Sequence, residues 1–182
     1  KLLSKNFEIE PYSDDFAEVK VVRYNKKEDL RGLFVKVFTS EDFKEEIGNL
    51  DEVYYSISDK NVIRGIHLQS KPFDLIKLVT CVDGRVNDFF IDLRSSSDNY
   101  KKFGSIELDN ETAIVIPYGY GHGFSVMSEK AIVMYCQNGS FNEEYEFGVN
   151  PLSVNFDWGV SNPILSERDN NLPHINESEF SI

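Results

Sequence analysis

The sequence predicts an all-β protein, an antiparallel sandwich or barrel, and three observations support that prediction. Ten short segments are rich in β-branched and aromatic residues and are separated by Gly, Asn, Asp and Ser, a pattern typical of antiparallel sheets. Hydrophobic residues make up 41% of the chain and aromatic residues 13%, which is enough to bury a core. A length of 182 residues is typical of one domain, so we expect a single domain over 1–182.

The candidate strands set the order of the expected elements. They cover residues 18–23, 32–39, 53–57, 61–69, 74–82, 85–93, 103–108, 112–117, 123–127 and 131–137. A tight hairpin is expected at Asp83-Gly84, because Gly tolerates the positive φ of such a turn. A short helix is expected over 40–46, where Thr39 or Ser40 can cap the first turn and acidic residues favour the helix N-terminus. The composition from about residue 151 predicts a loop-rich tail.

The charge balance excludes one class of partner. The chain has 19 Lys and Arg against 31 Asp and Glu, a net charge of −12, and such a surface repels nucleic acid. A local cluster of Arg and Lys can still hold a small anion. Because the sequence has no apolar run of about 18 residues and no signal-peptide pattern at its start, we expect a cytoplasmic protein with no membrane partner. Cys81 and Cys136 are expected to be buried and reduced.

Two of the three histidines occupy conspicuous positions. His67 lies in the strand-like RGIHLQ, and His122 lies in the glycine-dense PYGYGHGF, where the backbone can approach a ligand closely. A multi-histidine metal site commonly uses a closely spaced His pair, but Gln69 stands where the second histidine would be. We therefore expect no metal and no other cofactor.

Two cations lie near His67 in the sequence. Strand alternation puts Arg64 on the face opposite His67 unless Gly65 introduces a bulge. Lys77 lies within the apolar LIKLV, where an ammonium group needs a partner or a ligand. The residues alone leave the position of both cations open.

Four ordered blocks resemble a known family. They are RGIHLQ, IKLVTCVDGRVNDFFIDLRSSSDNYKKF, IPYGYGHGFSVMSE and NPILSERD. Together they resemble the dTDP-4-dehydrorhamnose 3,5-epimerase family of nucleotide-sugar epimerases, from Asp29 to Asp169. The resemblance implies an antiparallel cupin jelly roll with short peripheral helices. It also implies a metal-independent epimerase of a nucleotide-diphosphate 4-keto sugar, and a homodimer in which an N-terminal strand pairs with the partner's sheet.

The same resemblance assigns roles to individual residues. His67 matches the base that removes a proton next to the ketone, and Asp169 matches the carboxylate that orients it. Lys77 matches a lysine near the sugar 4-oxygen, where a cation stabilises an enolate. The residues placed against the substrate are Arg31, Arg64, Gln69, Asp88 and His122, with the two arginines on the diphosphate. We expect the interior pocket to contain His67, Lys77 and Asp88, with His122 at its wall.

One departure concerns the acid that returns the proton. The family has a tyrosine in a segment resembling TDYY, whereas residues 138–141 here read NGSF, so that Ser140 or Phe141 takes its place. Tyr135, Tyr145 or water are the remaining proton donors. Because serine is a much weaker acid than a phenol with its pKa of about 10, we expect inversion mainly at C3 rather than at C5.

A second departure concerns the nucleotide. Residues 53–56 read VYYS where the family often has Gln, Asp and Asn, and these aromatic rings suit base stacking better than amide hydrogen bonding. Relatives that act on GDP-linked 4-keto-heptoses in capsule synthesis fit both departures as well as a dTDP-hexose enzyme does. From this resemblance we expect a GDP-linked 4-keto-heptose, with a dTDP-linked 4-keto-6-deoxyhexose as the alternative substrate. A keto-sugar 3,4-isomerase of the same fold and a cupin that binds a sugar nucleotide without catalysis are two further functions that the sequence allows.

Overall fold

Two facing antiparallel sheets form the body of the protein, as described by a computed structural model covering residues 1–177 and 179–180. The strands are β1 (Leu2–Leu3), β2 (Phe7–Pro11), β3 (Lys20–Tyr24), β4 (Lys27–Asp29), β5 (Gly32–Phe34), β6 (Glu52–Asp59), β7 (Ile63–Gln69), β8 (Lys77–Asp83), β9 (Val86–Asp92), β10 (Phe103–Leu108), β11 (Thr112–Ile116), β12 (Tyr120–Val126), β13 (Lys130–Gln137) and β14 (Glu146–Gly148). The large sheet has the order β1-β2-β3-β11-β8-β13-β6, and the small sheet has the order β10-β9-β12-β7-β14. This arrangement confirms the predicted antiparallel jelly roll.

Strand alternation divides the apolar residues among three cores. One core fills the space between the sheets and includes Phe90, Phe124 and Val133. Along β9, Phe89 and Ile91 point the other way and pack under the C-terminal tail. A third core covers the outer face of the large sheet. The cores leave a polar cavity between the sheets.

Short helical elements lie outside the sheets. One α-helix, α1 (Glu167–Asn170), begins after Ser166, whose side-chain oxygen accepts a hydrogen bond from the backbone N–H of Asp169. Two 3-10 turns occur at Glu143–Tyr145 and Pro151–Ser153. In the described residues, no helix is long and apolar enough to cross a membrane.

All ten predicted segments contain a strand, but the sequence interpretation missed four others. These four are β1, β2, β4 and β14. The segment predicted over 32–39 is a strand only at Gly32–Phe34. Beyond it, Val35, Val37 and Phe38 pack their side chains on the core of the outer large-sheet face instead of pairing in a sheet.

The predicted hairpin at Asp83-Gly84 is wrong, although the turn itself is present. Gly84 has a φ of +83°, and a Cβ there would lie 2.1 Å from the carbonyl oxygen of Lys130. The strands on either side do not pair, because β8 belongs to the large sheet and β9 to the small one. The turn therefore carries the chain across the sandwich.

The predicted helix over 40–46 is also wrong. Thr39 does cap this segment, since its side-chain oxygen accepts a hydrogen bond from the backbone N–H of Asp42. The chain then forms successive turns in which Phe43 and Ile47 are buried in the outer core. Burial of these two side chains holds the segment against the sheet without a regular helix.

Candidate active site

A cavity of about 600 Å³ opens between the two sheets. The small sheet supplies one wall, with Arg64, His67, Gln69, His122 and Glu146. The large sheet supplies the facing wall, with Tyr54, Ser56, Lys77, Tyr135 and Gln137. Arg168 and Asp169 of α1 line its rim. Ionisable side chains from both sheets therefore line the same cavity.

A bulge in β7 puts Arg64 on the same face as His67. His67 is opposite His122 and Arg64 is opposite Phe124, so β7 has one more residue than β12 over this stretch. Gly65 carries the bulge with a φ of +113°. The Arg64 Nε donates to Ser58 Oγ at 2.8 Å, which leaves the rest of the guanidinium facing the cavity. Gly65 therefore does introduce the bulge that Arg64 needs in order to share a face with His67.

His67 and Asp169 form a hydrogen-bonded pair. The distance from His67 Nε2 to Asp169 Oδ1 is 2.6 Å, and the backbone N–H of Gly65 donates to Asp169 Oδ2 at 3.0 Å. Partial burial raises the pKa of Asp169, but the hydrogen bond and charge of His67, the backbone N–H of Gly65 and the charge of Arg168 together outweigh burial, so the pKa is lowered. An ionised carboxylate only accepts hydrogen bonds, so Nε2 carries the proton and Nδ1 is left as the basic nitrogen.

Glu146, a residue that the sequence interpretation missed, approaches that basic nitrogen. Its Oε1 lies 3.8 Å from His67 Nδ1, and it accepts a hydrogen bond from Arg168. Glu146 lies on β14, and because that short strand was not predicted, no sequence pattern placed the carboxylate near His67. Arg168 was within reach of motif analysis, because it directly precedes Asp169 in LSERD.

Lys77 is a cation without a protein partner among the described residues. It lies opposite Gln137 across the β8–β13 pairing and faces the cavity. Burial lowers the pKa of Lys77, while the charge of Glu146 raises it. An ammonium group held in this way is ready to interact with an oxygen atom of a ligand.

The structure places Asp88 behind the cavity wall and not in the cavity, so the expectation that it lies in the pocket is wrong. Asp88 is fully buried on β9, and its Oδ2 is 2.7 Å from Nε2 of the buried His122. Burial raises the pKa of Asp88 and the neighbouring His122 lowers it. Asp88 Oδ1 and Ser56 Oγ are buried oxygens with no hydrogen-bond partner in the part of the chain that is described. Asp88 therefore acts on the cavity through His122.

The two candidate tyrosines have different positions. Tyr135 lines the cavity and stacks on Tyr54, with ring centroids 4.9 Å apart and an interplanar angle of 15°. Tyr145 does not line the cavity; it packs against Phe73 at 4.6 Å instead. Because the Glu143–Tyr145 turn directs its ring away, Tyr145 is not an acid for this site.

Gln69 lines the cavity but uses its amide to hold a loop. Its Nε2 donates to the carbonyl oxygens of Phe73 and Ser140, at 2.6 and 3.2 Å, and its Oε1 accepts from the backbone N–H of Asn142 at 2.9 Å. The loop brings the half-exposed ring of Phe141 to the cavity. The side chain expected against the substrate is therefore mainly a support for the cavity rim.

Arg31 does not reach the cavity of its own chain. It lies between β4 and β5, which pair only with each other, and its side chain is 90% exposed. Its guanidinium pairs with Asp29 at 2.5 Å. The expectation that Arg31 contacts the substrate is therefore wrong within one chain, because the hairpin projects away from the two sheets that form the cavity. In the described residues there is also no group of three or more His, Cys, Asp or Glu that could hold a metal ion.

Comparison with known proteins reveals similarity along nearly the whole chain. A sequence model of the family described as dTDP-4-dehydrorhamnose 3,5-epimerase matches residues 13–177. The dTDP-4-dehydrorhamnose 3,5-epimerase of Shigella flexneri is 35% identical over 161 residues, covering 85% of this chain and 89% of that protein. The dTDP-4-dehydrorhamnose 3-epimerase of Streptomyces niveus is 36% identical over 151 residues, covering 79% of this chain and 73% of that protein.

A solved structure extends the similarity to the fold. The dTDP-6-deoxy-D-glucose-3,5-epimerase of Legionella pneumophila, in complex with dTDP-4-keto-L-rhamnose, has a TM-score of 0.86 to this chain. It is 28% identical, and the match covers 93% of each chain.

Proposed function

Because this chain belongs to the dTDP-4-dehydrorhamnose 3,5-epimerase family of nucleotide-sugar epimerases, we propose that it inverts a dTDP-linked 4-keto-6-deoxyhexose, mainly at C3. The observation that carries the proposal is the His67–Asp169 pair on one wall of a cavity whose facing wall presents Lys77. A base and a cation on opposite walls suit the removal of a proton next to a ketone.

The proposed reaction begins with His67. Its Nδ1 takes the proton from the carbon next to the ketone, and Asp169 stabilises the imidazolium that forms. The electrons of the broken C–H bond move to the ketone oxygen, and Lys77 stabilises the resulting enolate. An acid then delivers a proton to the opposite face of the same carbon, which inverts it. Solvent afterwards removes the proton of His67 and restores that of the acid.

The dTDP-linked hexose is better supported than the GDP-linked heptose that we expected. The family description and the names of the relatives refer to dTDP sugars and not to GDP sugars. Tyr54 and Phe141 supply exposed aromatic surface at the cavity that suits stacking on a base of either kind. Roles in capsule synthesis and a cytoplasmic location stay predictions.

The test is deuterium incorporation in D₂O, followed by NMR at C3 and C5. The panel contains dTDP-4-keto-6-deoxyglucose and a GDP-linked 4-keto sugar as the matched control. We expect catalysed incorporation and inversion at C3 of the dTDP sugar, with little at C5 and little with the GDP sugar. Movement of the carbonyl to C3 would identify a 3,4-isomerase. Binding without incorporation would identify a non-catalytic protein, and either result would contradict the proposal.

We also propose that the protein is a homodimer in which the β4–β5 hairpin crosses to the partner. An isolated two-stranded hairpin is marginal in water, and this one exposes Leu30, Leu33 and Phe34. The edge strand β6 exposes apolar side chains as well, at Val53, Tyr55 and Ile57. A second copy would cover both surfaces and would let Arg31 contact the diphosphate in the partner's cavity.

A further inference from the structure

We propose that Tyr54 is a positioning residue, whose ring holds the ring of Tyr135 in the place from which it faces the substrate. The inference rests on the proposed epimerase function, with Tyr135 as its candidate acid, and it adds to that function the side chain that fixes the acid. The sequence suggested a different use for Tyr54, which was stacking on the base of the nucleotide. The contacts of its ring and its hydroxyl group support positioning instead.

Tyr135 depends on ring contacts for its position. Its hydroxyl group has no hydrogen-bond partner among the described residues, so no polar contact anchors the end of this side chain. Tyr54 stacks on it with ring centroids 4.9 Å apart and an interplanar angle of 15°, and the ring of His122 meets it edge-on at 6.0 Å. Tyr54 therefore supplies the flat surface against which the Tyr135 ring rests.

Tyr54 is anchored by a chain of hydrogen bonds. Its hydroxyl group donates to Gln137 Oε1 at 2.9 Å, and Gln137 Nε2 donates to Glu52 Oε2 at 3.1 Å. The other carboxylate oxygen of Glu52 accepts from the backbone N–H of Phe141 at 3.2 Å. Because Gln137 is only 1% exposed, water does not compete for its amide group. The end of the Tyr54 side chain is thus held in place.

The pairing of β6 with β13 brings the stacked rings and the hydrogen bonds together. Tyr54 lies directly opposite Tyr135, and Glu52 lies directly opposite Gln137. These two cross-strand pairs share the face of the sheet that lines the cavity, because side chains two residues apart point the same way. Since β6 is an edge strand of the large sheet, these contacts tie it to β13 at the cavity wall.

A fixed Tyr135 ring matters because inversion needs a proton from the wall opposite His67. His67 lies on β7 of the small sheet and Tyr135 on β13 of the large sheet, and both line the cavity. Misplacement of a reacting group by about 1 Å can cost about 100-fold in rate. Without the ring of Tyr54, Tyr135 is free to tilt into the vacated space. His67 would then still exchange the proton, but on its own face of the carbon.

The experiment compares inversion with deuterium exchange at C3 in the Tyr54→Leu variant, with dTDP-4-keto-6-deoxyglucose in D₂O. We expect exchange within about threefold of the wild type, because the base is intact, and a fall of about tenfold or more in the ratio of inversion to exchange. Tyr54→Phe keeps the stacked ring, so its ratio should stay within about threefold of the wild type. An unchanged ratio in Tyr54→Leu, or an equal fall in Tyr54→Phe, would overturn the proposal.

Tyr145→Leu is the matched control. It removes one ring of a pair with a similar spacing, 4.6 Å from Phe73, but outside the cavity, so we expect the ratio to stay at the wild-type value. Calorimetry of dTDP binding tests the alternative use of Tyr54, and we expect the affinity of Tyr54→Leu to stay within about threefold of the wild type. A loss of affinity of about tenfold or more at an unchanged ratio would assign Tyr54 to the nucleotide and overturn the proposal.

Tyr54→Met covers the case in which Tyr54→Leu does not fold. Methionine is longer and flexible, so it fills more of the space, but it offers no flat surface to a ring. We expect the same fall in the ratio of inversion to exchange, and a ratio near that of the wild type would contradict the positioning role. Absence of exchange in the wild-type protein would instead contradict the proposed function itself.

Discussion

His67 uses its two ring nitrogens for two different tasks. Nε2 is bound to Asp169 at 2.6 Å, which fixes the ring and the tautomer, and Nδ1 faces the cavity as the basic atom. Glu146, 3.8 Å from Nδ1, adds a second negative charge beside the imidazolium. One imidazole is therefore flanked by two carboxylates, one at each ring nitrogen.

The first prediction concerns this base. In His67→Asn the amide cannot accept a proton at neutral pH, so we expect deuterium exchange next to the ketone to fall by roughly 10²- to 10⁴-fold. Binding of dTDP, measured by calorimetry, should stay within about threefold of the wild type, because the substitution leaves Arg64 in place. Exchange at the normal rate in this variant would eliminate His67 as the base.

Most individual site residues were predictable from the motifs, and the failures have physical reasons. Arg64, His67, Lys77 and His122 all line the cavity as expected. Asp88 does not, because the periodicity of a strand gives a residue's face but not its depth, and His122 stands between Asp88 and the cavity. The position of Tyr145 could not be predicted either, because the geometry of a loop depends on its tertiary contacts.

At the scale of elements, the bulge in β7 is the feature on which the site depends most. An uninterrupted strand would place residues three apart on opposite faces, and only the extra residue at Gly65 brings Arg64 beside His67. The sequence indicated that a bulge could form at Gly65 but could not show whether it does, because the register of β7 on β12 is set by long-range contacts.

The second prediction tests the bulge by Gly65→Ala. A Cβ at Gly65 would lie 2.6 Å from the carbonyl oxygen of His122 and 2.7 Å from the Cα of Gly123, at a φ that alanine disfavours. We expect a loss of about 2–4 kcal/mol in the free energy of unfolding, measured by urea titration, together with weaker dTDP binding. Gly48→Ala is the control, because Gly48 shares the positive φ but its Cβ would meet only Lys44, at 3.9 Å. Equal losses in the two variants would contradict the steric argument.

The strand pattern was more predictable than the connections between strands. Alternating β-branched and aromatic residues identified all ten main segments, because alternation follows from one buried face. The polar strand β4 and the short strands β1 and β14 lack that alternation. They form strands because neighbouring segments of the chain pair with them. The turn at Gly84 was located correctly, but a turn residue cannot reveal that its two strands join different sheets.

At the scale of the whole molecule, exposed apolar side chains accompany a large net charge. A charge of −12 keeps copies of a protein apart unless a specific surface brings them together. In the proposed homodimer, the β4–β5 hairpin and the outer face of β6 provide that surface. The position of Arg31 on the hairpin makes the dimer testable through activity as well as through mass.

The third prediction uses complementation between two inactive variants. Arg31→Ala and His67→Asn should each be nearly inactive, because the first lacks a diphosphate contact and the second lacks the base. If Arg31 serves the partner's cavity, a refolded equimolar mixture forms heterodimers with one intact site, and activity should recover to about a quarter of the wild type. Light scattering should give the mass of a dimer throughout. An inactive mixture of true dimers would contradict the exchange of Arg31 between copies.

The placement of the base His67 and the candidate acid Tyr135 on different sheets gives the apolar side chains packed between the sheets a chemical role. Facing sheets stand about 10 Å apart, and that thickness is set by the side chains packed between them, here including Phe90, Phe124 and Val133. A smaller or larger residue among them would change the gap between Tyr135 and His67 while leaving both side chains intact. Such a change would alter how often a removed proton is replaced from the far side. The thickness of the sandwich thus becomes a determinant of product stereochemistry, adjustable at positions that never touch the sugar.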